Sequence, residues 1–356
     1  MALKKCIKCV LPETHETITF DAEGVCNICL GQERKIGIDW GAKKKELDGL
    51  VERYRGKYQY DCIVPFSGGK DSTFTLLYLV REYGLRVLVV QFDHGFLRQN
   101  TLENNRRTLE TLGCDFLSFR PNWHVVKTLM KEALIRKGDF CWHCHTGIFS
   151  YPMQIAVEKK VPLLVWGETS SEYTAYFSWD DEEEVDEKRF NRFINLGLTA
   201  EDMEEILEPP DPRCLDPFRF PDAEALRDLG VRSVCLGSYI PWDTKKQVEE
   251  IERELGWRGI FVEGVSHRWQ YDKTECFMQG ARDLLKYKKR GYARNTHLAS
   301  LEIRRGDMTR KGGLRYAKMD GRSGPAYARL QDMVGLSEEE IDDILEPMKV
   351  EPWKGQ

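Results

Sequence analysis

No apolar run in the 356 residues approaches the length of a membrane-spanning helix, and the opening Met1-Ala2-Leu3-Lys4-Lys5-Cys6 lacks the apolar segment of a secretory signal. A cytoplasmic protein that makes no use of a membrane is therefore expected. Internal repeats and low-complexity tracts are missing too, which argues against solenoid and fibrous architectures. Proline is sparse, at 14 residues, and five of these (209, 210, 212, 217 and 221) crowd one stretch that reads as a connection. Bulk positive charge is absent: 53 Lys and Arg against 58 Asp and Glu leave a net −5, so the molecule as a whole is not built to grip a nucleic-acid backbone.

Charge is nonetheless unevenly spread. Asp180 to Glu187 is an acidic run that reads as a solvated loop, whereas residues 282–318 hold twelve Lys or Arg and three acids, 12 − 3 = +9. Such a block is either a solvated helix face or a surface for an anionic ligand.

Eleven cysteines in a chain without a secretion signal point to metal or catalytic thiols more than to disulfides. Cys6-Ile7-Lys8-Cys9 and Cys26-Asn27-Ile28-Cys29 form two C-x2-C pairs around the polar stretch Pro12 to Gly24. Four thiolates in two close pairs can close a tetrahedral zinc shell, and so short a segment buries too little apolar surface to fold without one. With Cys6, Cys9, Cys26 and Cys29 filling all four positions, that zinc is expected to be structural.

The apolar run Asp61 to Phe66 leads into Ser67-Gly68-Gly69-Lys70-Asp71-Ser72 and then Thr73 to Leu79, a glycine turn between an expected strand and an expected helix. Glycines let backbone approach an anion, the first helix amides are unpaired donors, and the helix dipole adds partial positive charge. Lys70 contributes a full charge, while the Ser67 and Ser72 hydroxyls can reach phosphate oxygens or a metal. The Walker loop is excluded, because Val64 and Pro65 stand where its leading glycine belongs. The motif resembles instead the SGGxDS signature of the PP-loop ATP pyrophosphatases, which implies cleavage of ATP between its α and β phosphates.

Strand-like and helix-like runs alternate beyond the loop: strands at 86–92, 116–119 and 161–166, helices at 102–112, 125–137 and 146–159. A charged helix over 39–58 precedes them, and helices over 243–255, 273–287 and 337–345 follow. This alternation predicts a parallel sheet covered by helices on both faces, with ligands bound beyond the carboxyl ends of the strands. At those ends lie the phosphate loop, then Phe92-Asp93-His94, then Gly167-Glu168. Asp93 and His94 are candidates to border an adenosine, and Glu168 to hold magnesium or orient a substrate.

Cys141-Trp142-His143-Cys144-His145 offers two thiols and two imidazoles within five residues. It reads as part of a metal or iron-sulfur site completed by Cys214, Cys235 or Cys276, as a redox pair, as a cavity lining with Cys141 and His145 one turn apart, or as core.

Taken together, the two amino-terminal cysteine pairs, Ser67 to Ser72, Gly138 to His145, Trp166-Gly167-Glu168, Tyr239-Ile240-Pro241-Trp242 and Tyr287 to Arg294 resemble the N-acetyl sugar amidotransferase family over nearly the whole chain. These are bacterial PP-loop enzymes of surface-polysaccharide (lipopolysaccharide O-antigen) and nonulosonic-acid biosynthesis. His143 departs from the proline common there. The resemblance implies an α/β protein with a zinc-ribbon-like four-cysteine module (1–38), a PP-loop domain of the adenine nucleotide alpha hydrolase type (39–235) and a mainly helical, basic region for substrate or partner (236–356). It implies an ATP-dependent, AMP-forming ligase that turns an acetamido sugar into an acetamidino sugar with ATP, Mg2+ and Zn2+. Ammonia would come from separate glutaminase and cyclase-like subunits, and no glutaminase nucleophile is assignable here. Lys70, Asp71 and Glu168 are the expected catalytic residues, and Ser67, Gly68, Gly69, Ser72, Phe92, Asp93, His94 and Gly167 the expected nucleotide contacts. Lys288, Lys289, Arg290, Arg294, Arg304 and Arg305 would bind a carboxylate or diphosphate of the sugar. The alternatives are a PP-loop tRNA thiolation enzyme with an iron-sulfur cluster at Cys141 and Cys144, and a nucleotide-binding scaffold.

Overall fold

The computed structural model describes residues 3–167, 197–207 and 211–355. Helix α1 (Asn27–Ile36) closes the cysteine-bearing amino terminus, and α2 (Trp40–Tyr54) leads to the sheet. The Asp39 carboxylate accepts the Ala42 amide at 3.0 Å and so starts α2. Then β1 (Cys62–Pro65), α3 (Lys70–Tyr83), β2 (Val87–Phe92), α4 (Gln99–Leu112) and β3 (Asp115–Phe119) alternate. Helices α5 (Trp123–Lys137) and α6 (Trp142–Lys159) precede β4 (Leu163–Trp166), and α7 (Ala223–Leu229) precedes β5 (Arg232–Cys235).

All five strands run parallel in the order β3-β2-β1-β4-β5. The two-residue period of the strands sends Cys62, Val64, Val87, Val89, Leu163 and Val165 to one face, under α2, α3 and α8 (Thr244–Leu255). Ile63, Leu88, Val90 and Leu164 point to the other, under Met153, Ile155 and Ala156 of α6. Burial on both faces is why β1 and β2 read as continuous apolar runs. The first core continues through Trp257, so the helix beyond residue 236 packs on α3 as part of the same body. Successive strands leave β1 in one direction and β4 in the other, which opens a crevice at the ends of these two neighbours.

The carboxy-terminal region is helical: α9 (Gln279–Arg290), α10 (Arg294–Arg305), α11 (Arg310–Ala317), α12 (Pro325–Val334) and α13 (Glu338–Leu345). A helix expected from Lys273 begins only at Gln279. Lys273 takes a left-handed φ of 53° and Cys276 bridges to Leu97, so the preceding segment is a run of turns and bends that lies against the phosphate loop. Helices α9, α12 and α13 share a core with α5. Helix α10 instead packs with Val10, Val262, Val265 and Trp269, and Ile303 rests on the four amino-terminal cysteines. The first and last parts of the chain thus fold against each other.

Candidate nucleotide and metal sites

Gly68 has a φ of 81°, which only glycine adopts without strain, and a side chain there would collide with Asn105, whose Oδ1 would lie 2.0 Å from the added carbon. The turn is drawn together by Ser67 and Ser72. The Ser67 amide donates to Ser72 Oγ at 3.2 Å, the Gly69 amide to Ser67 Oγ at 3.2 Å, and the Ser72 hydroxyl to the Gly69 carbonyl at 3.3 Å. Trp257 fixes the other side by donating its indole N–H to the Gly68 carbonyl at 3.2 Å. Gly69 caps α3 without a side chain, so the helix amino terminus faces the crevice bare.

Lys70 is buried there, its Nζ 2.6 Å from Asp71 Oδ2 and 3.5 Å from Asp272 Oδ2. Burial works against the Asp272 charge, but Lys70, Arg294 and Lys273 overcome it and hold this carboxyl below the usual carboxylate range. Arg294 Nη1 reaches Asp272 Oδ1 at 3.7 Å, and its Nε reaches Asp283 at 3.6 Å. A chain of charges therefore runs from the phosphate loop through Asp272 to the first residue of α10. Glu275 lies over the loop as well, close enough that a Cβ on Gly69 would stand 2.9 Å from its Oε2. Buried Asp71 Oδ1, Asn105 Oδ1 and Nδ2, and Asp272 Oδ1 have no hydrogen-bond partner among the described residues. Such orphaned atoms fit a site made for a polar ligand.

The other strand ends contribute less directly. Gly167 approaches the start of α3 so closely that a Cβ would lie 3.1 Å from that of Asp71, and its carbonyl accepts the Gly237 amide at 3.1 Å. Glu168 lies outside the described residues, as do the acidic run 180–187 and Pro209 and Pro210. Phe92 points into an aromatic cluster with Phe119, Tyr151 and Phe218. Asp93 accepts from the Gly95 amide at 2.8 Å and from Arg120 Nε at 2.7 Å, while His94 Nδ1 accepts the Phe96 amide at 3.1 Å. Burial lowers the proton affinity of His94.

Cys6, Cys9, Cys26 and Cys29 are buried with their four sulfurs within 4.8 Å of one another. The Cys6–Cys29 and Cys9–Cys26 separations are 3.9 and 3.8 Å. A tetrahedron with Zn–S bonds of about 2.3 Å has edges of about 3.8 Å, so this donor set fits zinc. Amides of Cys9, Leu11, Cys26 and Cys29 donate to the sulfurs at 3.3 to 3.5 Å, which supports thiolate charge. Arg310 Nε donates to the Cys6 and Cys9 carbonyls at 3.1 and 3.0 Å and ties the cluster to α11.

Cys141 and Cys144 belong to no such group among the described residues. They lie in the apolar core beside Cys276, and burial pushes all three thiols up, Cys276 to about 11. That is the state of packed thiols more than of reactive ones. His143 is fully buried, with its Nε2 3.4 Å from the His94 carbonyl.

Five of the six basic residues expected at the substrate turn to other partners. Lys288 pairs with Glu338 and Asp342 at 3.1 and 2.7 Å, and Lys289 reaches the Lys137 carbonyl at 3.5 Å. Arg305 donates to Thr244 Oγ1 at 3.2 Å. Arg290 turns to the cysteine module, donating from Nη1 to the Thr14 carbonyl at 2.6 Å, and Arg294 turns to the phosphate loop.

Residues 264–354 match the family model of the WbpG-like C-terminal domain of LPS biosynthesis proteins. The carboxy-terminal quarter is thus similar to a WbpG-like domain. This bears out the sugar amidotransferase resemblance, the matched family being one of LPS biosynthesis proteins. The WbpG-like domain supplies Asp272, Glu275 and Arg294 to the phosphate loop. An uncharacterised protein of Methanocaldococcus jannaschii is 27% identical over 144 residues, which are 39% of this chain and 50% of that protein. A glutamine-hydrolysing GMP synthase of Pyrobaculum aerophilum is 33% identical over 85 residues, 24% of this chain and 17% of its own length. The chain therefore spans half or less of these curated relatives. The U34-tRNA thiolase NcsA from Methanococcus maripaludis, solved with its 4Fe-4S cluster, aligns over 94% of this chain and 96% of its own at 13% identity. The TM-score is 0.34, and at that value the likeness carries no argument.

Asp272, Glu275 and Trp257 escaped the sequence reading. They lie about two hundred residues from the loop in sequence and carry no motif, so only the fold brings them to it.

Proposed function

We propose that the protein is the ATP-using subunit of an amidotransferase that converts an acetamido sugar to an acetamidino sugar. The observation that supports this reading is the charge chain Lys70–Asp272–Arg294, which joins the phosphate loop to the WbpG-like region. An amide carbonyl is a weak electrophile with a poor leaving group. Its oxygen attacks the α phosphorus of ATP, the P–O bond to the β phosphate breaks, and pyrophosphate leaves with the electron pair. The amide nitrogen yields its proton, giving an O-adenylated imidate. Ammonia adds to the imidate carbon and the C–O bond breaks, releasing AMP and leaving an amidine in which NH has replaced oxygen.

In this scheme Lys70 and the bare amides of α3 take up charge on the departing pyrophosphate. Asp71 and Asp272 are the carboxylates at hand for magnesium, and magnesium, when bound, supplies further neutralisation of the phosphates. Glu168 stays a candidate to orient the substrate. The zinc at the four cysteines has a structural part, since all four positions are protein ligands. Ammonia is expected from separate glutaminase and cyclase-like subunits, and the glutamine-hydrolysing relative supports ammonia as the nucleophile.

The decisive assay supplies ATP, magnesium and ammonium with a panel of nucleotide-activated N-acetyl sugars, and in parallel unmodified tRNA with sulfide. Sugar-dependent release of AMP and pyrophosphate, with a product one mass unit lighter, is the expected result. Lys70→Ala should lower this turnover by roughly 100- to 1000-fold with zinc content unchanged. AMP release with tRNA alone would overturn the reading in favour of thiolation, for which the neighbouring Cys141, Cys144 and Cys276 would be the cluster ligands.

A further inference from the structure

Helices α9 and α10 carry basic residues that come near one another, Lys286 beside Arg294 and His297. On α9, Arg282, Lys286 and Arg290 recur every four residues, and on α10, Arg294, His297 and Arg304 share one face at spacings of three and seven. The loop of the cysteine module enters between them with His15 and Glu16. Arg282 pairs with Asp139 at 3.6 Å and Arg294 with Asp272 and Asp283, while Glu16 meets Lys286 and Arg290: its Oε1 is 3.3 Å from Lys286 Nζ and 3.4 Å from Arg290 Nε, and Tyr292 donates its hydroxyl to Oε2. Burial opposes the Glu16 charge, yet Lys286, Arg290 and the Tyr292 bond hold it well below the carboxylate range. Glu16 is therefore already committed. Glu302, the acid within α10, is committed elsewhere, to Arg268 at 2.6 Å and Trp269 at 3.1 Å.

Arg304 is left over. Both of its Nη atoms are buried and have no hydrogen-bond partner among the described residues. Its charge reaches His15 and His297, which burial and the surrounding cations keep neutral. Buried guanidinium N–H groups without acceptors are unfavourable, and the arrangement becomes favourable once an anion supplies the missing oxygens. Guanidinium also matches the two-oxygen edge of a carboxylate or phosphate.

We propose that Arg304, with Lys286, His297 and His15, forms an oxyanion site that takes the phosphate or carboxylate group carried by the sugar substrate. The proposal rests on the amidotransferase reading for the identity of the sugar, and it adds the cysteine module to the substrate site through His15 and Glu16. Zinc would then act on substrate binding by holding a loop in place.

The test uses full-length, zinc-loaded protein and calorimetric titration with three probes: inorganic phosphate, UDP and glucuronate. At least one should bind, should still bind in Lys70→Ala, and should lose tenfold or more in affinity in Arg304→Gln, with Arg106→Gln as the exposed control. UDP with phosphate against glucuronate separates a nucleotide carrier from a sugar carboxylate. Without probe, Arg304→Gln should melt at the same or a higher temperature than the parent with full zinc content, because it removes buried donors that lack acceptors. Where Arg304→Gln fails to fold, Arg304→Lys takes its place, with weakened binding expected. Binding lost in Lys70→Ala and unchanged in Arg304→Gln would overturn the proposal, as would the absence of binding at millimolar probe or full binding by Arg304→Lys. Probe binding at Arg304 without sugar-dependent AMP release would leave the site standing and remove the amidotransferase reading.

Discussion

Buried imidazoles give this protein an acid edge. Burial is the main cause holding His15 and His143 at about 4, from an ordinary 6.5, and both are neutral at pH 7. The unfolded chain takes up protons at these rings below about pH 6.5, while the folded one resists until about pH 4. Stability should therefore be unaffected by them above pH 6.5 and fall as pH drops from 6.5 to 4, by at most about 3 kcal/mol per ring. Denaturant midpoints at pH 7.5, 6 and 4.5 measure this, and His15→Gln should flatten the slope. An unchanged slope would mean that His15 is hydrated in the folded state. At this scale the sequence was informative about identity and silent about partnership. Lys70 and the four cysteines announce themselves by spacing, whereas Arg304 differs from its neighbour Arg305 only in what the fold withholds from it.

Elements were more legible, because their signals are local. The helix expected over 39–58 is Trp40–Tyr54, and the strand expected over 86–92 is Val87–Phe92. The failures are cases where a distant group overrides local preference. Helix α10 went unread because its start has no cap of its own: Ala293 occupies the N-cap position with no side-chain bond. Asp320, 27 residues on, supplies that cap. It accepts the Ala293 amide at 2.8 Å, the Asn295 amide at 3.0 Å, the Thr296 amide at 3.2 Å and the Thr296 hydroxyl at 2.6 Å. A carboxylate at a helix amino terminus also meets the positive end of the dipole. Asp320→Asn should consequently cost about 1–3 kcal/mol, read as a lower melting temperature. It should also weaken sugar binding more than ATP binding, because α10 presents Arg304 and His297 while the phosphate loop keeps its own strand and helix. Equal loss for both ligands would show that the whole fold, and not this helix, had loosened.

At the scale of the molecule, the amino-terminal module belongs to the far end of the chain. Cys6 and Cys9 are held by Arg310, Thr14 exchanges hydrogen bonds of 2.6 Å with Arg290, and Val10 and Ile303 stitch the module to α10. None of these contacts could be read from a module placed at residues 1–38, since the sequence shows the metal shell and not the surface that receives it. The sheet, by contrast, has its own cores on both faces, formed without the cysteines of that module. Metal removal should therefore divide the molecule. Four thiolates released from zinc repel one another, the segment has too little apolar surface to persist, and the carbonyls that Arg310 grips are no longer held. Chelation, or Cys26→Ser, should raise hydrogen exchange at residues 5–29 and in α10 and α11, and leave β1, β2 and β4 protected. Magnesium-ATP binding should survive within a few-fold while sugar-dependent turnover falls by tenfold or more, because the phosphate loop keeps its own strand and helix and the basic face of α10 loses its support. Exchange rising evenly across the sheet would show that the module holds up the entire fold. Exchange confined to residues 5–29, with turnover intact, would show that it supports nothing beyond itself.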